Sequence, residues 1–376
     1  MTEHTGSAGT PPRIVVVGAG YAGLAAAKLA AKWTDARVTL VNAHDRFVER
    51  VRLHQLAAGQ RLRDLPLADL LRGTGVDLVV DRVTAIDPST REVRLTRGAL
   101  TYDRLIYALG SHADLDSTPG AREHARTIAT REDAERLRAD LAHARTVAVV
   151  GGGLTGMEAA AELAECHPGL GVTLITSGVL GDALSDRARR HVRDAFDRLG
   201  VEVRERTRVT SVHAGGVTPA DGASITADTV VWTAGFRVPD LAREAGFAVD
   251  DRGRMVVDDT LRSVSHPEVV GIGDAAAVRR PGGAELRMAC ATGMPAAQQA
   301  VRALADRLRG RQPEPFRFRY RQQCISLGRG DGVIQFVDHD DRPSGAVLTG
   351  RLAALYKESV VRFTVLFQHY PTLPAG

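Results

Sequence analysis

An α/β fold built from two copies of one parallel-sheet unit is what this 376-residue sequence predicts, on three observations. Arg13–Val17 is an apolar run that breaks at Gly18-Ala19-Gly20-Tyr21-Ala22-Gly23 and continues as an alanine-rich helical pattern. Thr146–Val150 does the same at Gly151-Gly152-Gly153-Leu154-Thr155-Gly156. Each helical pattern gives way to a second strand-like run, Ala36–Asn42 in the first case and Gly171–Ser177 in the second.

Strand, tight turn, helix and strand make a βαβ unit, and its glycines have separate duties. Gly18 permits the turn, Gly20 lets the backbone approach a pyrophosphate, and Gly23 allows close helix–strand packing, so that free N–H groups at the helix start face phosphate. The first helix is read to about Trp33. At the end of the strand that follows, where an acid usually holds the ribose, stands Asn42, whose side-chain oxygen can still accept from a hydroxyl. Gly151, Gly153 and Gly156 repeat the glycine pattern, and Ser177 occupies the place of the acid that would select NAD. A hydroxyl there admits a 2′-phosphate, for which Arg187, Arg189 or Arg190 could supply charge unless they form the outer face of a helix over Ser185–Leu199. Two complete units mean two dinucleotides.

Further runs follow in a telling order. Leu100–Gly110 is a strand ending in a small-x-Gly turn, Ala227–Gly235 repeats it, and Ser265–Ala276 is an apolar strand ending in Gly273-Asp274. Together these motifs resemble the two-dinucleotide-binding flavoproteins of the pyridine nucleotide-disulfide oxidoreductase superfamily, in its type II NADH dehydrogenase and apoptosis-inducing-factor-like branch. The resemblance covers about residues 13 to 367. It implies two Rossmann-like dinucleotide-binding domains, the NAD(P)H domain inserted in the FAD domain, plus a small α+β C-terminal domain. The boundaries expected are a tail over 1–12, FAD over 13–114 and 247–315, NAD(P)H over 115–246, and an acceptor-side domain over 316–376.

The same resemblance assigns the sites. FAD would be held by Gly18, Gly20, Tyr21, Ala22, Gly23, Asn42, Arg50 and Val83, then by Ala108, Gly110, Gly273, Asp274, Thr292 and Gly293, with Asp274 accepting from the ribityl hydroxyls. NADH or NADPH would be held by Gly151, Gly153, Thr155, Gly156, Glu158, Ser177 and Gly235. Glu158 is either the acid near the nicotinamide carboxamide or a first-turn glutamate favoured by the helix dipole. The segment 45–59, where disulfide reductases carry a cysteine pair, has none, which disfavours disulfide reduction. In that segment Arg50 and His54 depart from the family's neutral residues. Arg50 could stabilise the anionic reduced ring and His54 could hand a proton to the acceptor, or both could be structural. Residues 295–299, Pro-Ala-Ala-Gln-Gln, match the family's quinone-side signature only in part, and Cys290 is read as a small hydrophobe near the ring.

Composition narrows the classes. A formal charge of +4, carried almost wholly by arginines interleaved with acids, suits a solvated surface and not a nucleic-acid footprint. Cys166, Cys290 and Cys324 are too scattered for a zinc site or a disulfide framework, so no metal is expected and a reducing cytosol fits best. No signal peptide is read at the N-terminus and no stretch is long and apolar enough to span a bilayer. A last helix over Leu352–Phe367 carries Leu352, Leu355, Tyr356, Val360, Phe363 and Phe367 at helical spacing, a stripe for the core, a homodimer face or peripheral membrane contact. The leading expectation is an FAD-dependent NAD(P)H:acceptor oxidoreductase that passes electrons to a quinone or a similar small molecule. Two other readings stand beside it: a flavoenzyme acting on a specific metabolite, and a redox-sensing flavoprotein like apoptosis-inducing factor.

Overall fold

The computed structural model describes residues 10–280 and 283–375. Residues 1–9 of the expected tail therefore lie outside the described residues, while the Pro12 carbonyl already accepts from the Arg37 N–H at 2.9 Å.

Two five-stranded parallel sheets carry the architecture. The first runs, in spatial order, Val269–Gly271, Arg104–Tyr107, Arg13–Val17, Arg37–Asn42 and Val76–Val80. The second runs Ala125–Arg126, Thr229–Trp232, Thr146–Val150, Gly171–Ile175 and Glu202–Arg204. In each, the strand that feeds the glycine turn is central, which is why it reads as an unbroken apolar run and not as an alternating one: Ile14 to Val17 are buried on both faces. The registers repeat as well, Val17 lying opposite Val41 and Tyr107, and Val150 opposite Ile175 and Trp232. Strand Val269–Gly271 completes the first sheet although it follows the whole of the second in sequence. The second unit is thus inserted in the first.

The helices obey the same logic. Tyr21–Trp33 buries Ala25, Ala26, Ala27 and Ala30, side chains small enough for the long helix Cys290–Leu308 to pack closely against it. Two short antiparallel strands, His112–Ala113 and Phe236–Arg237, pair where the chain passes between the two units. Four strands were not expected. Val83–Asp87, Glu92–Leu95 and Gly98–Thr101 form an antiparallel meander beside the first sheet. Pro343–Thr349 adds a third strand to the pair Gln322–Ser326 and Gly332–Val337. As an edge strand with Pro343 and Gly345 in it, it lacks the alternation that marks a strand in sequence.

The C-terminal helix spans Gly350–His369 and does not present its apolar residues as one stripe. Phe367 and Val361 are buried, whereas Leu352 and Leu355 are 65% and 67% exposed, so the expected single face is in fact two. The inner face is tied down by Lys28, whose buried Nζ donates to the carbonyls of Leu70 (2.9 Å), Gln368 (2.7 Å) and His369 (2.9 Å). A cation at a helix C-terminus also meets the favourable end of the dipole. Lys28→Met leaves three buried carbonyls without their donor and is expected to cost about 3 kcal/mol, read as a fall in the thermal midpoint together with faster proteolysis near residue 369.

Candidate active site

The two glycine turns have one construction. Gly18 has φ +98° and Gly151 φ +122°, conformations that side chains rarely adopt. A Cβ on Gly23 would lie 1.9 Å from the Gly18 carbonyl oxygen, and one on Gly156 would lie 1.8 Å from that of Gly151. By contrast a Cβ on Gly20 or Gly153 would meet nothing within 4 Å. The outer pair of glycines closes helix on strand, and the middle one borders open space. Both helices begin without a side-chain cap and without an acid in the first turn, whereas Thr130 and Ser185 cap the helices Arg131–Leu141 and Asp186–Leu199. Unclaimed N–H groups with a positive dipole end fit a pyrophosphate at each turn.

Around the first turn several of the expected FAD residues lie side by side. The Ala108 carbonyl lies beneath Gly18, and Ala22 faces both Gly273, 3.4 Å from a Cβ built there, and Gly293, at 3.6 Å. The Asp274 carboxylate accepts from Ser111 Oγ at 2.7 Å and has Arg50 Nη1 at 3.8 Å. Arg50 also donates to the Ser111 carbonyl at 2.8 Å and lies 5.6 Å from the Phe236 ring centroid, so it joins three segments. Gly110, at φ +67°, opens the passage toward the second unit. Asn42 Oδ1 accepts from Ala19 N–H at 2.9 Å and its amide donates to the His44 carbonyl at 2.8 Å. The residue therefore braces the glycine turn, leaving one lone pair of its oxygen for a hydroxyl. Thr292 spends its hydroxyl on the carbonyls of Arg287 and Ala289, starting the helix that carries Gly293. Tyr21 packs edge-on to Phe47, 5.0 Å between centroids, with a buried hydroxyl that finds no partner and whose ionisation burial disfavours. Val83 opens the antiparallel meander opposite Leu95.

The second turn leads to the acidic face of the helix Leu154–Cys166. Thr155 is half-buried at its start, Ser177 is exposed just beyond the strand Gly171–Ile175, and Gly235, at φ +88°, lies against Asp114 at the crossing. Glu158 is the fifth residue of this helix, past the first turn, so a helix-dipole role does not apply to it. Its carboxylate is ion-paired with Lys357 of the C-terminal helix and accepts from Ser326 N–H at 3.0 Å. Burial, with Arg52 nearby, pulls the Lys357 ammonium down to about 7, against the opposing pull of the carboxylate it touches. Beside this pair lies a groove of about 230 Å³ lined by Gln55, Ser326, Arg329, Leu355 and Lys357 among others.

His54 does not face that groove. It is 4% exposed, held neutral by burial, and its Nε2 lies 4.0 Å from the Glu162 carboxylate, with no hydrogen-bond partner on either atom. The five-residue helix Leu53–Ala57 packs it inward against Leu154–Cys166. Burial and the nearby Asp274 carboxylate push the Cys290 thiol up to about 11, which keeps it protonated. Lys357, Ser111 and Glu162 were not singled out from sequence. The signal for Lys357 was its rarity, one of three lysines in a chain whose other basic side chains are arginines.

A model of the pyridine nucleotide-disulphide oxidoreductases matches residues 12–303. The chain belongs to that family. An NADH dehydrogenase-like protein of Mycobacterium tuberculosis is 36% identical over 314 residues, 77% of this chain and 78% of its own length. A type II NADH:quinone oxidoreductase of Staphylococcus haemolyticus is 27% identical, with 93% of this chain and 94% of that protein covered. Among solved structures, NDH2 from Plasmodium falciparum in complex with NADH superposes with a TM-score of 0.81 at 15% identity, over 96% of this chain and 98% of that one. Membership implies FAD and a nicotinamide dinucleotide as the cofactors. Although the family name includes disulphide, Cys166, Cys290 and Cys324 are all free here. Among the described residues no cluster of His, Cys, Asp and Glu could hold a metal, and no helix is long and apolar enough to cross a membrane.

Proposed function

We propose that the chain is an FAD-dependent NAD(P)H:quinone oxidoreductase, with Gly18–Gly23, Asp274 and Gly293 on the FAD side and Gly151–Gly156 with Glu158 on the nucleotide side. In this reading residues 13–114 and 247–315 form the FAD domain, 115–246 the nucleotide domain and 316–376 the cover. The observation that carries it is the Glu158–Lys357 pair beside the groove, which brings an ammonium and a carboxylate from two elements to one water-accessible opening. Bound FAD supplies the redox chemistry, taking hydride and giving up electrons. The protein's own part is positional and electrostatic. The turns bind phosphate, Asp274 orients hydroxyls, Arg50 places positive charge near Asp274, and Lys357 holds a proton at Nζ close to neutral pH.

Exposed Leu352, with exposed Leu355 and Arg351 at the rim of the groove, supports peripheral seating on an anionic lipid surface as the way a lipophilic quinone arrives. Ser177 in place of an acid supports acceptance of NADPH as well as NADH.

Anaerobic stopped-flow mixing of the yellow holoprotein with NADH or NADPH, then with a menaquinone analogue, tests the reading. Fast flavin bleaching and fast quinone-driven return of colour are the expected results. Flavin that neither nucleotide bleaches would overturn it, and bleached flavin that air but not quinone restores would overturn the acceptor.

A further inference from the structure

Reduction of a quinone by NADH takes up one proton from water: NADH, H⁺ and quinone give NAD⁺ and quinol. The inference that follows rests on the quinone reading and concerns where that proton waits. Glu158 and Glu162 are four residues apart on the helix Leu154–Cys166, one turn apart on one face. The first touches Lys357 at the groove; the second is fully buried, 0% exposed, opposite His54. Glu162 Oε2 and His54 Nε2 are each without a hydrogen-bond partner and lie 4.0 Å apart, so a small side-chain rotation brings them into contact. The other carboxylate oxygen accepts from the amide of Gln60, a half-buried residue at the outer edge that also reaches Cys166 Sγ at 3.7 Å.

The surroundings fix the charge state. Arg52, Arg329 and Lys357 bear on His54, while Arg329, Arg52 and Glu165 bear on Glu162. The neighbouring helix Arg131–Leu141 buries only Ala134, Leu137 and Leu141. Burial dominates over these charges: it raises the Glu162 carboxyl to about 7 and keeps His54 neutral. The pair therefore exchanges one proton near neutral pH, carried by Glu162 below about pH 7. A merely structural contact at this place would be served as well by two apolar side chains.

We propose that Glu162 and His54 are positioning residues that store a proton behind the Glu158–Lys357 pair and restore it after each turnover. When a Lys357 N–H bond breaks as an O–H bond forms on the reduced acceptor, the Glu162 O–H proton passes across one helical turn through Glu158 to Lys357. Water at the Gln60 edge then returns a proton to Glu162, with His54 accepting and releasing it in passage. No electrons move in these steps and the net uptake is one proton.

The experiment uses the holoprotein and its Glu162→Gln and His54→Asn variants. Infrared titration of the wild type should show a buried carboxylic-acid carbonyl band that fades as pH rises through about 7 and is missing in Glu162→Gln. In stopped flow at pH 6, where Lys357 carries its proton in every protein compared, quinone-driven reoxidation of the variants should be at least about tenfold slower than that of the wild type. A band that ignores pH, or variants that reoxidise at the wild-type rate at pH 6, would overturn the proposal. If a variant does not fold, the wild-type band and its loss or persistence during turnover decide the matter alone. Quinone-driven return of the wild-type flavin colour after bleaching by NADH tests the quinone reading separately, so failure of the relay and failure of the function are distinguishable.

Discussion

Lys357→Met is expected to slow quinone-driven reoxidation of the reduced protein by roughly a hundredfold or more while NADH still bleaches it. The ammonium and the Glu158 carboxylate are each only 13% exposed, so removing the cation leaves a carboxylate nearly desolvated with the Ser326 N–H as its remaining partner. Breaking one side of such a pair destabilises by about 3 kcal/mol, which a lower thermal midpoint would register. Adding Glu158→Gln to it removes the unpaired charge while the amide oxygen still accepts from Ser326. The double variant should regain most of the stability and none of the reoxidation rate. Equal recovery of both would mean that Lys357 only holds the C-terminal helix in place. The pH dependence has a definite sign: with Lys357 brought down to about 7, the proton-bearing form predominates below that pH and the wild-type rate falls above it.

The twin glycines allow a cleaner dissection. Gly23→Ala sets a methyl group 1.9 Å from the Gly18 carbonyl oxygen, and Gly156→Ala one 1.8 Å from that of Gly151. Neither contact is survivable, and since both obstacles are backbone, the helix must lift from its strand, at a cost of about 3 kcal/mol or more. The start of the helix moves with it, and the phosphate-facing N–H groups move too. Gly23→Ala should purify colourless. Gly156→Ala should purify yellow and stay yellow when NADH is added, with no more than about one part in a hundred of the wild-type bleaching rate. The opposite assignment, a colourless Gly156→Ala beside a yellow Gly23→Ala, would exchange the two ligands between the turns.

Both turns were legible in the sequence because their glycines answer to local sterics, which spacing along the chain expresses directly. The central strands were legible for a related reason: burial on both faces removes polar residues from Ile14–Val17 and Val147–Val150. What escaped was whatever depends on elements distant in sequence. Glu158 and Lys357 are brought together by the packing of the last helix on the second unit, and neither residue's neighbours in sequence announce the other. The burial of His54 was not legible because a short helix, Leu53–Ala57, buries all of its residues, so polarity in the sequence did not mean exposure. The C-terminal helix misled in the opposite direction. Its spacing of apolar residues is sound, yet Leu352 and Leu355 point away from the core that Phe367 and Val361 enter.

The return of Val269–Gly271 to the first sheet bears on how the chain is made. Every strand of the second sheet lies between residues 125 and 232, so all five have left the ribosome before the last strand of the first sheet has been synthesised. The middle of the chain can close its sheet during translation, while the N-terminal part waits with Arg104–Tyr107 presenting an unpaired edge. The vulnerable interval is the time needed to translate from residue 107 to residue 271.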